Sequence, residues 1–317
     1  MDTNKKVVIL GGGTGLSTLI KGLKKFPVDI TAIVAVSDDG RSTGKLREEF
    51  EIPAVGDLRQ VIVALSETEP LFQELLNYRF KTNSDLNGHA LGNLLLTALI
   101  EVSGNLSIGI ESLGKVLNLK GKVLPVTQDN VTLVAEMTDG EIIEGEHNIT
   151  EAEKQIKKVF YKEQPIVLQK VIDEIKSADL IILSMGSLFT SIIPNLLCKD
   201  VIEAIDNSTA DITYVCNIMT QPGETDNFTA SDHVKVLNEY LGTKKVSTVM
   251  ANNGEISQEI IDKYLVAEQK DPVIVDKNEL EKMNVKVIED EFVSTESGKI
   301  RHNTTKLGFA IFSHLTL

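Results

Sequence analysis

Val7-Val8-Ile9-Leu10-Gly11-Gly12-Gly13-Thr14-Gly15-Leu16-Ser17-Thr18 decides how the rest of the chain is read. Four apolar residues form a short buried strand, a glycine run breaks it, and a helical pattern starts near Leu16 and continues to about Lys25. A strand, a glycine turn and a helix together aim unpaired backbone N–H groups and the positive end of a helix at an anion. Glycine suits the turn because a Cβ would hold a phosphate away from the backbone and because such turns use positive φ. Gly12, Gly13, Thr14 and Gly15 are therefore candidate anion ligands. The stretch is not the full dinucleotide fingerprint, since Leu16 stands where the third glycine belongs. It is not a Walker loop either, for no Gly-Lys-Ser/Thr closes it. A tight turn without a ligand is the plain alternative.

The chain has 317 residues, of which 42% are hydrophobic and 25% charged, enough apolar material for one large α/β domain or two small ones. The formal net charge of −14 repels a nucleic acid or an anionic membrane, so neither is an expected partner. An anionic small molecule would need a local positive site. Cys198 and Cys216 have neither metal-ligand spacing nor the numbers for a disulfide framework, and read as buried inert thiols. The apolar run 94–100 is too short to span a bilayer and no signal peptide is visible, so a cytoplasmic location without membrane insertion is expected.

A second strand is predicted over 30–36, ending in Ser37-Asp38-Asp39-Gly40-Arg41-Ser42. In open α/β sheets ligands sit beyond the carboxyl ends of the strands, which places Asp38 and Asp39 beside the glycine turn. Three roles fit them: a ribose hydroxyl, Mg²⁺ held beside phosphates, or a turn and helix cap. Asp38 lies 27 residues past Gly11, against a usual ribose offset of about 20. Pro53-Ala54-Val55-Gly56-Asp57-Leu58-Arg59 opens a helix with Asp57 as its cap. Arg59 in that first turn opposes the helix dipole unless an anion is near, which makes it a ligand candidate beside a plain salt bridge. Gly88-His89-Ala90-Leu91-Gly92-Asn93-Leu94 opens a strongly apolar helix. Asn93 is a candidate for lining a cleft, while His89 reads as structural.

The pattern then changes from helical to strand-like. Residues 123–126 and 131–137 alternate, and Thr138-Asp139-Gly140-Glu141 is a hairpin turn. A small antiparallel insertion over about 122–161 follows a helical insertion over about 57–119, and no chemistry is recognisable in the former. Asp179-Leu180-Ile181-Ile182-Leu183-Ser184 is a central strand, followed by Met185-Gly186-Ser187-Leu188. This junction repeats the physics of the first, making Gly186 and Ser187 candidates. The strand at 212–216 runs into Asn217-Ile218-Met219-Thr220-Gln221-Pro222-Gly223-Glu224-Thr225, a polar loop with Asn217 at its start. A further strand is read at 246–250, with edge strands at 273–275 and 285–288. Arg301 stands at the entrance of a final helix, and Thr304 and Thr305 are candidate targets of a Ser/Thr kinase. The alternation of strand and helix points to a single α/β domain over residues 1–317: a Rossmann-like, doubly wound, mostly parallel sheet carrying the two insertions. A homo-oligomer is among the states expected for it.

The blocks at 11–17, 37–44, 56–59, 88–94, 186–194 and 216–225, in that order, resemble the CofD-like family, and within it the YvcK-type branch of gluconeogenesis factors. The resemblance implies a Rossmann-like fold over nearly the whole chain. Its enzyme branch, the 2-phospho-L-lactate transferases, handles a guanine-nucleotide-linked phospholactate and a deazaflavin with Mg²⁺. The YvcK-type branch is linked to cell shape and envelope growth on gluconeogenic carbon sources and binds UDP-sugars such as UDP-GlcNAc. A Tyr and an Arg near its C-terminal end contact the nucleotide sugar, and Tyr264 and Arg301 are the matching positions. The expected function is thus a UDP-sugar-binding regulatory factor, with an Mg²⁺-dependent transferase as the alternative. Ser184-Met185-Gly186-Ser187 departs from the Gly-Pro-Gly-Ser of the family, but keeps the glycine and serine that could hold a phosphate. A nicotinamide dehydrogenase is disfavoured by the missing third glycine and by the lack of a paired acid–base set.

Overall fold

The computed structural model describes residues 4–152 and 154–316. β1 (Lys5–Gly11) has five consecutive buried residues, as a parallel strand covered on both faces requires. Burial of Val7, Val8, Ile9 and Leu10, each at most 1% exposed, stabilises by about 1.5–3 kcal/mol per side chain and anchors the glycine turn that follows. α1 (Gly13–Leu23) leads to β2 (Val28–Val34). Five helices come next: α2 (Arg41–Phe50), α3 (Gly56–Leu65), α4 (Pro70–Asn77), α5 (Leu91–Ser103) and α6 (Leu106–Val116). They precede β3 (Lys122–Pro125).

β3 corrects the expected boundary of the small insertion. It pairs parallel with β2, Thr31 opposite Lys122, and is the edge strand of the central sheet. The antiparallel insertion is built from β4 (Leu133–Met137), β5 (Ile142–Glu144) and β6 (Ile156–Tyr161), with α7 (Glu146–Glu151) between the last two. Its hairpin turn is the one the sequence marks: Gly140 has φ +88°, and the Glu141 amide donates to Asp139 Oδ1 at 3.0 Å. The Tyr240 hydroxyl accepts from the Val159 amide at 2.8 Å and ties the insertion to the core.

The second half returns to the sheet. α8 (Gln169–Lys176) precedes β7 (Leu180–Leu183), then a π-helical turn over Leu188–Ile192 runs into α9 (Ile193–Leu196) and α10 (Lys199–Asp206). β8 (Asp211–Val215), α11 (Ala230–Tyr240), β9 (Thr248–Asn252), α12 (Gln258–Glu268), α13 (Lys277–Lys282) and β10 (Lys286–Asp290) follow. A short hairpin of β11 (Val293–Ser294) and β12 (Arg301–His302) precedes α14 (Thr304–Thr316). Residues 273–275, expected as a strand, form no strand; Val273 instead bonds its amide to the Ile218 carbonyl. Arg301 lies in β12, ahead of the helix it was expected to open.

The seven strands of the central sheet run in the order β10-β9-β8-β7-β1-β2-β3, all parallel. The chain winds outward one way from β1 and the other way from β7. Right-handed crossovers in opposite directions put helices on both faces, and the direction reverses between β1 and β7. The glycine turn after β1 and the Met185-Gly186-Ser187 turn after β7 therefore sit side by side at the carboxyl end of the sheet. Cys198 and Cys216 are free and buried, with their thiols pushed up to about 12 by burial. Among the described residues no helix is long and apolar enough to cross a membrane.

Candidate functional site

The two turns touch. An added Cβ at Gly15 would lie 1.7 Å from the Met185 carbonyl oxygen and 3.0 Å from the Gly186 Cα, so only a glycine lets the backbones meet there. Gly13 has φ +50°, the left-handed region that glycine enters without strain. The α1 amides of Thr14 and Gly15 find no acceptor among the described residues, nor do the amides of Ser187 and Leu188. Four donors with no partner among the described residues thus crowd the junction: no side chain caps the start of α1, and the Ser187 side chain caps only Thr190 in the second turn.

Two cavities open from this junction and share Thr14, Gly15, Gly186 and Ser187 as common wall. The first, of about 330 Å³, extends toward β2 and is acidic, lined also by Gly12, Gly13, Asp38, Asp57 and Glu146. The second, of about 390 Å³, extends toward β8 and carries Asn217, Tyr264, Lys270, Lys299 and Arg301. Gly12 through Gly15, Asp38, Gly186, Ser187, Asn217, Tyr264 and Arg301, all singled out in the sequence, are brought to one cleft.

The carboxyl groups of the acidic half are held protonated more readily than usual. Burial pushes Glu146 up to about 8, with the charges of Asp38, Asp57 and Asp39 adding to it and a hydrogen bond with Thr190 opposing it. Burial also raises Asp57 to about 7, reinforced by Asp38 and opposed by a hydrogen bond from the Gly13 amide. Asp38 is raised chiefly by burial, although its Oδ1 accepts the Gly40 amide at 2.9 Å. Arg47 holds this corner: it donates to the carbonyls of Ser37 and Asp38 at 3.0 and 3.1 Å and to Val131 at 2.6 Å.

These shifts set a pH dependence. A carboxyl group whose pKa is raised on folding binds its proton more tightly in the native state, so its stabilising contribution is lost as pH rises from about 4 through the folded value. Each unit is worth about 1.4 kcal/mol, of which water in the cavity screens a part. The unliganded protein should therefore lose roughly 2 kcal/mol between pH 5.5 and 8.5, several degrees in Tm. Glu146→Gln, which cannot ionise, should flatten the curve. A Tm that rises over this interval, or a Glu146→Gln profile parallel to wild type, would contradict the assignment.

The turn after β7 is braced from two sides. The Asn217 side chain accepts from the Gly186 amide at 3.1 Å and donates to the Gly186 carbonyl at 2.7 Å, so its polar atoms are spent on holding the turn. Ser187 Oγ donates to Glu224 Oε2 at 2.5 Å and accepts from Thr190. Glu224 is buried, pushed up to about 6, and also takes the Phe189 amide at 3.3 Å. In the second cavity the Tyr264 hydroxyl accepts the Ile300 amide at 2.9 Å, which fixes the strand carrying Arg301. Burial lowers His302 to about 4, and its Nε2–H donates to the Cys216 carbonyl at 3.1 Å. Arg301 is exposed and has no salt bridge among the described residues.

Three sequence candidates do not reach the cleft. Asp39 turns away from Asp38: its Oδ1 accepts the His147 amide at 2.8 Å at the start of α7, so it docks the insertion. Arg59 and Asn93 satisfy each other instead, Arg59 Nε donating to Asn93 Oδ1 at 2.8 Å while Nη1 bonds Asn77. Both are buried, and they join α3, α4 and α5. His89 is buried as well. Thr305 is exposed and accepts from Lys25, and the Thr304 carbonyl packs against Gly22. Conversely, Asp57, Glu146 and Glu224 were not read as site residues. Asp57 could have been found, since a carboxyl in the first turn of a helix beside the glycine loop is an acceptor for that loop. Glu146 carries no such signal in the sequence.

Among the described residues no three His, Cys, Asp or Glu side chains are grouped to hold a metal ion by themselves. Mg²⁺ that shares its shell with phosphate oxygens needs only one or two carboxylates. Asp38 and Asp57, beside the unpaired amides, are the pair that fit this demand; Asp39 is not.

Fold and site together define a doubly wound α/β protein with a polar cleft at its switch point, acidic on one side and basic on the other. The chain belongs to the CofD family: the model of 2-phospho-L-lactate transferase CofD matches residues 7–293. It is 47% identical over 308 residues to a gluconeogenesis factor of Bacillus subtilis, covering 97% of each chain. It is 46% identical, also over 308 residues, to one of Halalkalibacterium halodurans, covering 97% of this chain and 95% of the relative. A crystal structure of a Bacillus halodurans protein superposes with a TM-score of 0.94 at 46% identity, covering 98% of this chain and 99% of the other.

Proposed function

We propose that this chain is a cytoplasmic regulatory protein that binds a nucleotide sugar of the UDP-GlcNAc type and acts in cell shape and envelope growth under gluconeogenic conditions. The observation that carries this reading is the meeting of two helix-start turns, with four unpaired amides, at one cleft. The diphosphate lies across Thr14, Gly15, Ser187 and Leu188, where backbone donors and helix ends favour negative charge. Arg301 and Tyr264 take the nucleotide-sugar end in the basic half. The names of the Bacillus subtilis and Halalkalibacterium halodurans relatives support the role under gluconeogenic conditions.

Micromolar affinity needs about 8 kcal/mol. Four or five charge-assisted hydrogen bonds at about 1.5–3 kcal/mol each supply that gross term before ordering costs. Calorimetry with UDP-GlcNAc should give a Kd in the micromolar range, and GDP and NAD should bind more weakly. Equal affinity for all three would leave an unselective anion site and remove the nucleotide-sugar reading.

A second reading, an Mg²⁺-dependent 2-phospho-L-lactate transferase-like enzyme, is favoured by Asp38 and Asp57 beside the phosphate-sized donors and by the family model. In it the two carboxylates would hold Mg²⁺, which would supply positive charge to offset that on the transferring phosphate. Nucleotide-linked phospholactate, a deazaflavin acceptor and Mg²⁺ are the test, and formation of a phospholactyl deazaflavin would favour this reading over the first.

A further inference from the structure

The end of the sheet opposite the cleft carries an unexplained concentration of positive charge. Lys6, Lys24, Lys25, Lys120 and Lys122 line a hollow of about 740 Å³ between the amino ends of β1, β2 and β3 and the last turn of α1. Among the described residues two carboxylates, Asp29 and Glu174, share its wall. Glu174 pairs with Lys122, and Glu67 outside the wall pairs with Lys120 at 2.7 Å. The other three ammoniums reach neutral oxygens: Lys24 donates to the Ser66 carbonyl at 2.7 Å, Lys25 to Thr305 Oγ1 at 3.0 Å and Lys6 to Ser177 Oγ at 3.3 Å.

The chain has 46 acidic residues against 32 basic ones, so five lysines around one concavity, three of them without a salt bridge among the described residues, run against its overall charge, even with Asp179 near Lys6 and Glu67 near Lys24 outside the wall. Lys24 registers the crowding. Burial holds its pKa down, and the ammoniums of Lys120, Lys21 and Lys25 add to that against the pull of Glu67. A concave surface lined by one sign of charge focuses its field and concentrates counter-ions. Lys24 and Lys25 also follow α1, where cations suit the helix end, but that accounts neither for Lys6 and Lys122 on the facing strands nor for Lys120 in the bend before β3.

We propose that this hollow is a second anion site, for a small molecule bearing a multiply charged phosphate group. Five lysines are point charges without the planar fork that selects carboxylates, and a compact polyanion is what they hold best. The hollow lies at the far end of the helix whose start forms the cleft, about 16 Å along its axis. It shares no residue with either half of the cleft.

The test is calorimetric titration of pyrophosphate into the full chain. Arg301→Ala, which acts in the cleft, should leave the pyrophosphate site at this end in place. Lys24→Gln/Lys25→Gln removes two charges while keeping donors for Ser66 and Thr305, and should weaken that site at least tenfold. Lys81→Gln, an exposed lysine outside the hollow, should change nothing. Where the double variant melts several degrees lower, Lys6→Gln/Lys25→Gln, which leaves the Lys24 bond to α3 intact, gives the same reading. Three results overturn the proposal: no pyrophosphate binding by the wild type, undiminished binding by the double variant, or loss of all binding in Arg301→Ala.

Discussion

Gly15→Ala should abolish nucleotide-sugar binding, with affinity for UDP-GlcNAc falling at least about a hundredfold, some 2.7 kcal/mol. The new methyl would sit 1.7 Å from the Met185 carbonyl oxygen and 2.5 Å from its carbon. Both are backbone atoms, between β7 and the turn that Asn217 pins, so no side chain can swing away to make room. The strain has one outlet: the two turns move apart, and the four amides no longer address one diphosphate. Overpacking of this kind also costs about 1–3 kcal/mol of stability, so Tm should fall by several degrees. Binding should be lost at temperatures where circular dichroism still reports a folded chain. Wild-type affinity in Gly15→Ala would mean that the turns act independently.

Arg301→Ala should weaken UDP-GlcNAc binding about 10- to 150-fold, the worth of one charge-assisted hydrogen bond of about 1.5–3 kcal/mol. Its Tm should stay at the wild-type value, because Arg301 is exposed and holds no salt bridge among the described residues. Arg301→Lys should restore only part of the affinity, since an ammonium keeps the charge but not the fork. Tyr264→Phe separates positioning from contact: it leaves the Ile300 amide without its acceptor and should loosen β12. Unchanged affinity in Arg301→Ala would take this residue out of the site.

Much of the fold could be read from local pattern because local pattern causes it. The apolar run 7–10 is a strand buried on both faces, and the glycines after it are required by contacts those strands impose. The two strand–glycine–helix junctions were legible one by one. Their meeting depends on the winding reversing between β1 and β7, which the order of elements suggests but no single segment encodes. The strand at 122–125 alternates like its antiparallel neighbours, and period alone does not say which sheet it joins.

The site was legible where backbone makes it and obscure where side chains arrive from a distance. Arg59 at a helix start reads in the sequence as either an anion ligand or one half of a plain salt bridge. Its charge is answered by the amide oxygens of Asn93 and Asn77, 34 and 18 residues away. Asp38 and Asp39 are adjacent, but alternate directions of the chain send one to the cavity and the other to the start of α7. Glu146 comes from the insertion, where nothing in the sequence marked chemistry, and it reaches the cavity because Asp39 docks α7 beside the cleft.

The central claim is that amides from both turns hold one diphosphate at the switch point. A crystal structure of the complex with UDP-GlcNAc tests it most directly. The account expects phosphate oxygens within about 3 Å of the amide nitrogens of Gly15 and Ser187 together. A diphosphate that contacts one turn and not the other, or that lies outside the cleft, would contradict it.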